Sequence, residues 1–235
     1  MRSVLNAEAK LRWAALSLVI GCCLSVQTSS GQDNRRSGVK IEALPHSLEV
    51  KLALSAAPPY LRSEAAVYVL DSAKGYVPER KGTNGFTCYV ERTDYLREGF
   101  TNDFIVPECQ DAEGSRTIVP VEFDVERLRA EGMTPPELKM EIERRFKEGK
   151  YHAPARTGVA YMLSPIARLY TGPNSRTTAT INMPHYMFFA PNLTEKDFGG
   201  GPPMSPYPYL INPGPMSYII LEAGGDQRSQ INRDS

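Results

Sequence analysis

An apolar run of 14 residues, Trp13 to Val26, follows a basic start (Arg2, Lys10, Arg12) and precedes the polar stretch Gln27 to Gln32. That is the layout of a bacterial-type export signal. The run falls short of the roughly 20 apolar residues that cross a bilayer as a helix, so residues 1–32 are expected to be removed rather than to anchor the chain. Two constraints on the fold follow. The remaining chain must build its core without the most apolar segment, and it must do so in an oxidising compartment where cysteines pair.

Within the run, Val19-Ile20-Gly21-Cys22 has the small-residue-then-Cys pattern of a lipoprotein signal ending at Gly21. Ordinary cleavage near Ser30 or Gln32 is the preferred processing, because the polar stretch after Val26 is a normal cleavage region. Lipidation of Cys22 is the alternative and the one route to membrane association. No later segment reads as a membrane span. The expected location is therefore periplasmic or secreted, with a lipid anchor through Cys22 as the alternative. A chain starting at Cys22 loses three basic residues and one acidic residue, leaving 24 and 26 of the 27 of each. A net charge near −2 gives no electrostatic case for nucleic acid or anionic lipid.

The domain reading is a polar linker over 33–40, one domain over 41–223 and a disordered tail over 224–235. About 200 residues suffice for one domain with a real core. With 19 prolines and 18 glycines the chain is expected to turn often. Cys88 and Cys109 survive every processing scheme, and one disulfide between them is the economical expectation. A nucleophilic Cys88 served by His152 or His185 is the competing reading, and no family signature surrounds it.

Pro45 opens a stretch with Leu48, Val50, Leu52 and Leu54, read as a short helix although the alternation also fits a strand. Ala65 to Leu70 reads as a strand and Asp71 to Gly75 as a turn. Tyr76–Arg80 and Phe86–Glu91 are expected to form a hairpin through Asn84-Gly85, giving an antiparallel meander. The middle reads as helical. Asp124 is expected to cap a helix ending at Gly132, and Thr134-Pro135-Pro136-Glu137 is a capping box opening a helix to about Lys150, with Leu138, Ile142 and Phe146 on one stripe. Its i,i+4 charge pairs read as a solvated surface. Strands follow at 158–163, 185–190 and 217–221. The expected class is α+β, a largely antiparallel sheet with two to three helices packed on one face.

The segments Asn84-Gly85-Phe86-Thr87-Cys88, Met187-Phe188-Phe189-Ala190-Pro191-Asn192 and Pro213-Gly214-Pro215 with Tyr218-Ile219-Ile220 resemble an uncharacterised group of exported bacterial proteins, over most of the mature chain. The resemblance implies export. That group carries no assigned activity, so no catalytic residue is carried over.

Motifs for zinc hydrolysis, nucleophile elbows, phosphate loops and paired CxxC are missing from the sequence. Ser37-Gly38-Val39-Lys40 matches Ser-x-x-Lys but lies in the linker without a partner Lys-Thr-Gly. His46, His152 and His185 are far apart and carry no metal-site spacing, and neither a metal nor a cofactor is implied. Asn192-Leu193-Thr194 matters only in a eukaryotic secretory route. The loop from 199 to 215, rich in Gly and Pro, is the best place for a ligand, through Tyr207, Tyr209 and Asn212. His185 joins these candidates, and His152 with Arg156, flanking Pro154, could bind a carboxylate. Two function classes stand: a non-catalytic exported module binding a protein, a cell-envelope component or a small molecule, and a hydrolase assembled only in three dimensions.

Overall fold

The computed structural model describes residues 40–235 apart from Glu98, Pro173, Asn174 and Met204. Residues 1–32, read as an export signal, and with them Cys22, lie outside the described residues. Helix α1 (His46–Ser55) and the short α2 (Pro59–Arg62) lead into strands β1 (Ala66–Asp71), β2 (Gly75–Arg80), β3 (Thr87–Glu91) and β4 (Val106–Gln110). Helices α3 (Ala112–Thr117), α4 (Val119–Ala130) and α5 (Pro135–Lys147) follow. The last third holds β5 (Val159–Met162), β6 (Ala167–Tyr170), β7 (Thr178–Ile181), β8 (His185–Phe189), α6 (Glu195–Phe198), β9 (Tyr209–Ile211), β10 (Tyr218–Glu222) and α7 (Gly225–Asp234).

Among the described residues, eight strands form one sheet in the order β2-β1-β3-β4-β5-β8-β10-β9, while β6 and β7 make a separate hairpin. Neighbours are antiparallel except β1 and β3. The class is therefore α+β with a mostly antiparallel sheet.

The expected hairpin between Tyr76–Arg80 and Phe86–Glu91 does not form. β2 pairs with β1 through the 71–75 turn, and β3 crosses to the other side of β1 and runs parallel to it. Asn84 is occupied elsewhere: its side chain donates to the Leu61 carbonyl at 2.9 Å and accepts from the Phe86 amide at 3.0 Å. A local Asx turn therefore outcompetes the hairpin turn. Gly75 closes the real hairpin at φ 80°, and a Cβ there would lie 3.0 Å from the Arg127 backbone, so the turn needs glycine twice over.

The sheet separates two cores. On one face α4 and α5 bury Val121, Val125, Leu128, Leu138 and Ile142 against β-strand residues such as Ala160, Met187 and Tyr218. On the other, the small residues Ala53, Ala56 and Ala57 in and after α1 pack on Val67, Val90 and the disulfide. Helices thus cover both faces rather than one. α1 is a helix because its inner face is not its leucines: Ala53 is fully buried, Leu48 stays exposed, and buried Glu49 accepts the Leu70 amide at 2.8 Å.

The Thr134 box holds as expected, with the Thr134 amide donating to the Glu137 carboxylate at 2.9 Å. Asp124 is not a cap. The helix starts earlier, and Asp124 sits inside α4, accepting from the Tyr151 hydroxyl at 2.6 Å and Arg145 at 2.5 Å to pin α5 and its exit to α4. Asp111 is the cap that sequence reading missed. It accepts the Glu113 and Gly114 amides of α3 and, through its other oxygen, the Val159 amide of β5. Within 224–235, read as a disordered tail, Gly225–Asp234 forms a helix, with Gln227 accepting the Gly224 amide at 3.1 Å and Arg62 donating to the Asp234 carbonyl at 2.7 Å.

Candidate functional site

Strand periodicity assembles the site. Alternate residues of a strand share a face, and directly opposed residues on neighbouring strands share it too. The register Tyr89↔Glu108 and Glu91↔Val106 puts Tyr89, Glu91 and Glu108 on the face turned to α4. Further along the sheet, Met162↔His185, Met187↔Ile220 and Ile220↔Tyr209 bring His185 and Tyr209 to that face. α4 lays Glu122 over it. The connection from β3 to β4 and the β6–β7 hairpin close the side, where Phe104 stacks on Tyr170 with ring centroids 5.4 Å apart.

Between these elements lies a cavity of about 280 Å³. Its apolar wall is methionine-rich: Met162, Met183, Met187 and Met216 all contribute, beside Val106 and Ile220. Unbranched, polarisable Met side chains adapt to the shape of what they enclose. Its polar groups include the carboxyls of Glu91, Asp94, Glu108 and Glu122, the phenols of Tyr95 and Tyr218, the His185 imidazole, the Asn212 amide and the Arg97 guanidinium.

Glu108 is held by the Tyr89 hydroxyl and by Gln110 Nε2, each donating at 3.0 Å to Oε2. Burial nevertheless pushes its carboxyl up to about 7, against the lowering effect of those two bonds. Glu122 is only 8% exposed. Burial raises its carboxyl far above the ordinary range, and the neighbouring Glu108 and Glu126 raise it further. Glu91 is raised in the same way, by burial first and then by Glu122 and Glu108. Glu91 and Glu122 both line the cavity. Three acids in one low-dielectric space favour protonation, because each ionised neighbour disfavours the next.

His185 is 4% exposed, and its Nδ1–H donates to the Met183 carbonyl at 2.7 Å. A carbonyl can only accept, so the proton is on Nδ1 and Nε2 carries a lone pair. Burial pushes the imidazole below its ordinary value, which keeps it neutral. Asn212, at φ 51° in the left-handed region that Asn tolerates, ends β9 at the cavity wall.

The structure divides the sequence-predicted candidates. His185, Tyr209 and Asn212 come together at the cavity, while Tyr207 points outward at 69% exposure. His152 and Arg156 are exposed and away from the cavity wall, and Arg156 donates to Glu113 Oε2 at 3.0 Å rather than waiting for a carboxylate ligand. Cys88 is bonded to Cys109 with the sulfurs 2.03 Å apart, fully buried on the α1 face, so it is no nucleophile. Sequence reading missed Glu91, Glu108 and Glu122. The available signal was one acid in each of two short, otherwise mostly uncharged segments, Glu91 in Thr87–Glu91 and Glu108 in Val106–Gln110; Glu122 gave none. Among the described residues, no cluster of His, Cys, Asp or Glu has metal-binding geometry.

Comparison with protein-family models, with curated proteins and with solved structures finds no match to the chain.

Proposed function

We propose that the protein is an exported, non-catalytic module that binds one small, largely apolar molecule carrying a polar group. The observation that carries this reading is the cavity of about 280 Å³, apolar on most of its wall with buried hydrogen-bonding groups among the methionines. Small-molecule sites of other proteins have this make-up and begin at roughly 300 Å³. Export is supported by the Cys88–Cys109 disulfide, which suits an oxidising compartment.

The test is a fluorescence titration with N-phenyl-1-naphthylamine, a neutral apolar probe of suitable size. Saturable one-to-one binding with a Kd of tens of micromolar or tighter is expected, about −6 kcal/mol. Met187→Trp and Leu169→Trp, each filling the cavity from a different wall, should abolish it in protein that still unfolds cooperatively. Absent saturable binding, or binding untouched by both variants, contradicts the proposal.

One observation favours a hydrolytic alternative. A carboxyl near 7, as Glu108 has, suits proton transfer at neutral pH. Turnover of chromogenic esters or glycosides, lost in Glu108→Gln, would establish it; no turnover over a broad panel leaves the binding reading.

A further inference from the structure

We infer that His185, Met162 and Met187 form a site on the cavity wall for a soft monovalent cation, Cu(I) or its analogue Ag(I). The inference goes beyond the binding reading above and does not need its apolar ligand. Its basis is the placement of one imidazole among thioethers. His185 faces Met162 across the β5–β8 ladder, and Met187 lies two residues along β8 on the same face. Directly opposed residues of an antiparallel pair bring their Cβ atoms to about 5 Å, and diagonal neighbours stay within reach of long side chains. His185, Met162 and Met187 are buried, at 4%, 7% and 2% exposure, and all three line the cavity. Thioether sulfur is a soft donor that selects Cu(I), and imidazole suits copper as well.

A second observation, independent of the methionines, is how the imidazole is held. The His185 Nδ1–H donates to the Met183 carbonyl at 2.7 Å, which puts the lone pair on Nε2, the nitrogen on the far side of the ring. Metal-ligating histidines are held in this manner: the other ring N–H is tied to a carbonyl or carboxylate, which fixes the tautomer and the ring plane. Burial lowers the imidazole below its ordinary value, so the ring ligates without first losing a proton. Met183, which supplies the carbonyl, lines the cavity as well. Met216 is set apart from the site, because its sulfur already accepts from the Tyr95 hydroxyl at 3.7 Å.

Harder cations fit less well. Zinc takes thiolate, imidazole and carboxylate donors and calcium takes oxygen, yet among the described residues no group of His, Cys, Asp or Glu is placed to hold a metal. Cys88 and Cys109 are joined in the disulfide on the other face of the sheet. What stands beside the histidine is thioether, and thioether favours the soft monovalent ion.

The experiment is a titration with silver(I) nitrate at pH 7 in chloride-free buffer, on the full chain carrying Cys22→Ser and Cys23→Ser so that no thiol outside the disulfide competes. With ¹³C-labelled methionine methyls, Met162 and Met187 should shift together and saturate at one equivalent, before the exposed Met140 moves. Zinc(II) at the same concentrations should leave them in place. Met162→Leu with Met187→Leu keeps the wall apolar and removes both sulfurs. It should weaken silver binding at least about tenfold while saturable binding of N-phenyl-1-naphthylamine persists. Should that pair fail to unfold cooperatively, Met162→Leu and His185→Gln, taken singly, give the same comparison. Silver affinity unchanged in these variants, equal shifts with zinc(II), or no saturable shift overturns the inference. Probe binding without silver uptake overturns this site and leaves the binding module standing; silver uptake without probe binding does the reverse.

Discussion

The Tyr89 hydroxyl donates to Glu108 across the β3–β4 ladder at 3.0 Å, one residue along from the Cys88–Cys109 disulfide on the opposite face of the same two strands. One pair of strands thus carries a covalent staple toward α1 and a buried polar contact toward the cavity. Because adjacent residues point to opposite faces, the two can be altered separately.

Removing the staple should therefore cost stability without removing the site. The double variant Cys88→Ala with Cys109→Ala opens a loop with sequence separation 21 and is expected to lower stability by about 3 kcal/mol. Chemical denaturation measures that loss. Probe binding below the new melting temperature should persist, since the cavity lies across the sheet.

Glu108 should make stability fall with pH. Its carboxyl goes from an ordinary 4.5 to about 7 on folding, so between these values the folded state holds a proton that the unfolded state has released. Stability is then greatest below about 4.5, declines through that window and stops changing on this group's behalf above about 7. Glu108→Gln keeps an acceptor for Tyr89 and Gln110 and cannot ionise. It should flatten the decline and raise stability at pH 8 by an amount on the order of 3 kcal/mol; an unchanged slope in urea titrations from pH 4.5 to 8 would count against the buried-acid description.

Arg92 is 2% exposed and its guanidinium donates to three carbonyls, those of Phe104, Glu42 and Asn102. This ties the connection that closes the cavity side to the segment before α1. A lysine is a point donor and cannot serve three directions from a planar fork. Arg92→Lys is expected to cost about 2–4 kcal/mol and to weaken probe binding, because Phe104 lines the cavity. Loss of stability with full affinity would place Arg92 in the fold alone.

The helix α5 packs through fully buried Leu138 and Ile142, with Phe146 only partly covered. Leu138→Ala should cost about 3 kcal/mol, whereas exposed Glu143→Ala should stay within about 0.5 kcal/mol. Equal small effects in thermal unfolding would mean that α5 is not docked as described.

Local patterns carried part of this fold. Val67, Val69 and their neighbours read as a strand from composition, and the Thr134 box read as a helix start, because both depend on residues within a turn of one another. What depends on distant partners did not show. β3 reads as the second arm of a hairpin until β1 is seen to take it in parallel. β4 was hidden by Pro107 and Glu108, which look like a turn until Tyr89 is found opposite. α7 was hidden because a helix without an apolar stripe resembles a polar tail. The site followed the same rule. His185, Tyr209 and Asn212 stood out as residue types in a suggestive region, whereas Glu91, Glu108 and Glu122 become a cluster only through strand register and the placement of α4.

The most direct test of a ligand-binding cavity uses its methionines as reporters. In protein labelled with ¹³C at the methionine methyls, Met162, Met183, Met187 and Met216 line the cavity, while Met140 on α5 is 63% exposed and remote from its wall. Titration with N-phenyl-1-naphthylamine, followed by methyl NMR, should shift those four resonances together with one saturation curve and leave Met140 in place. Shifts at Met140 with none at the four, or no saturable shift at any methionine, would contradict a cavity that binds small molecules.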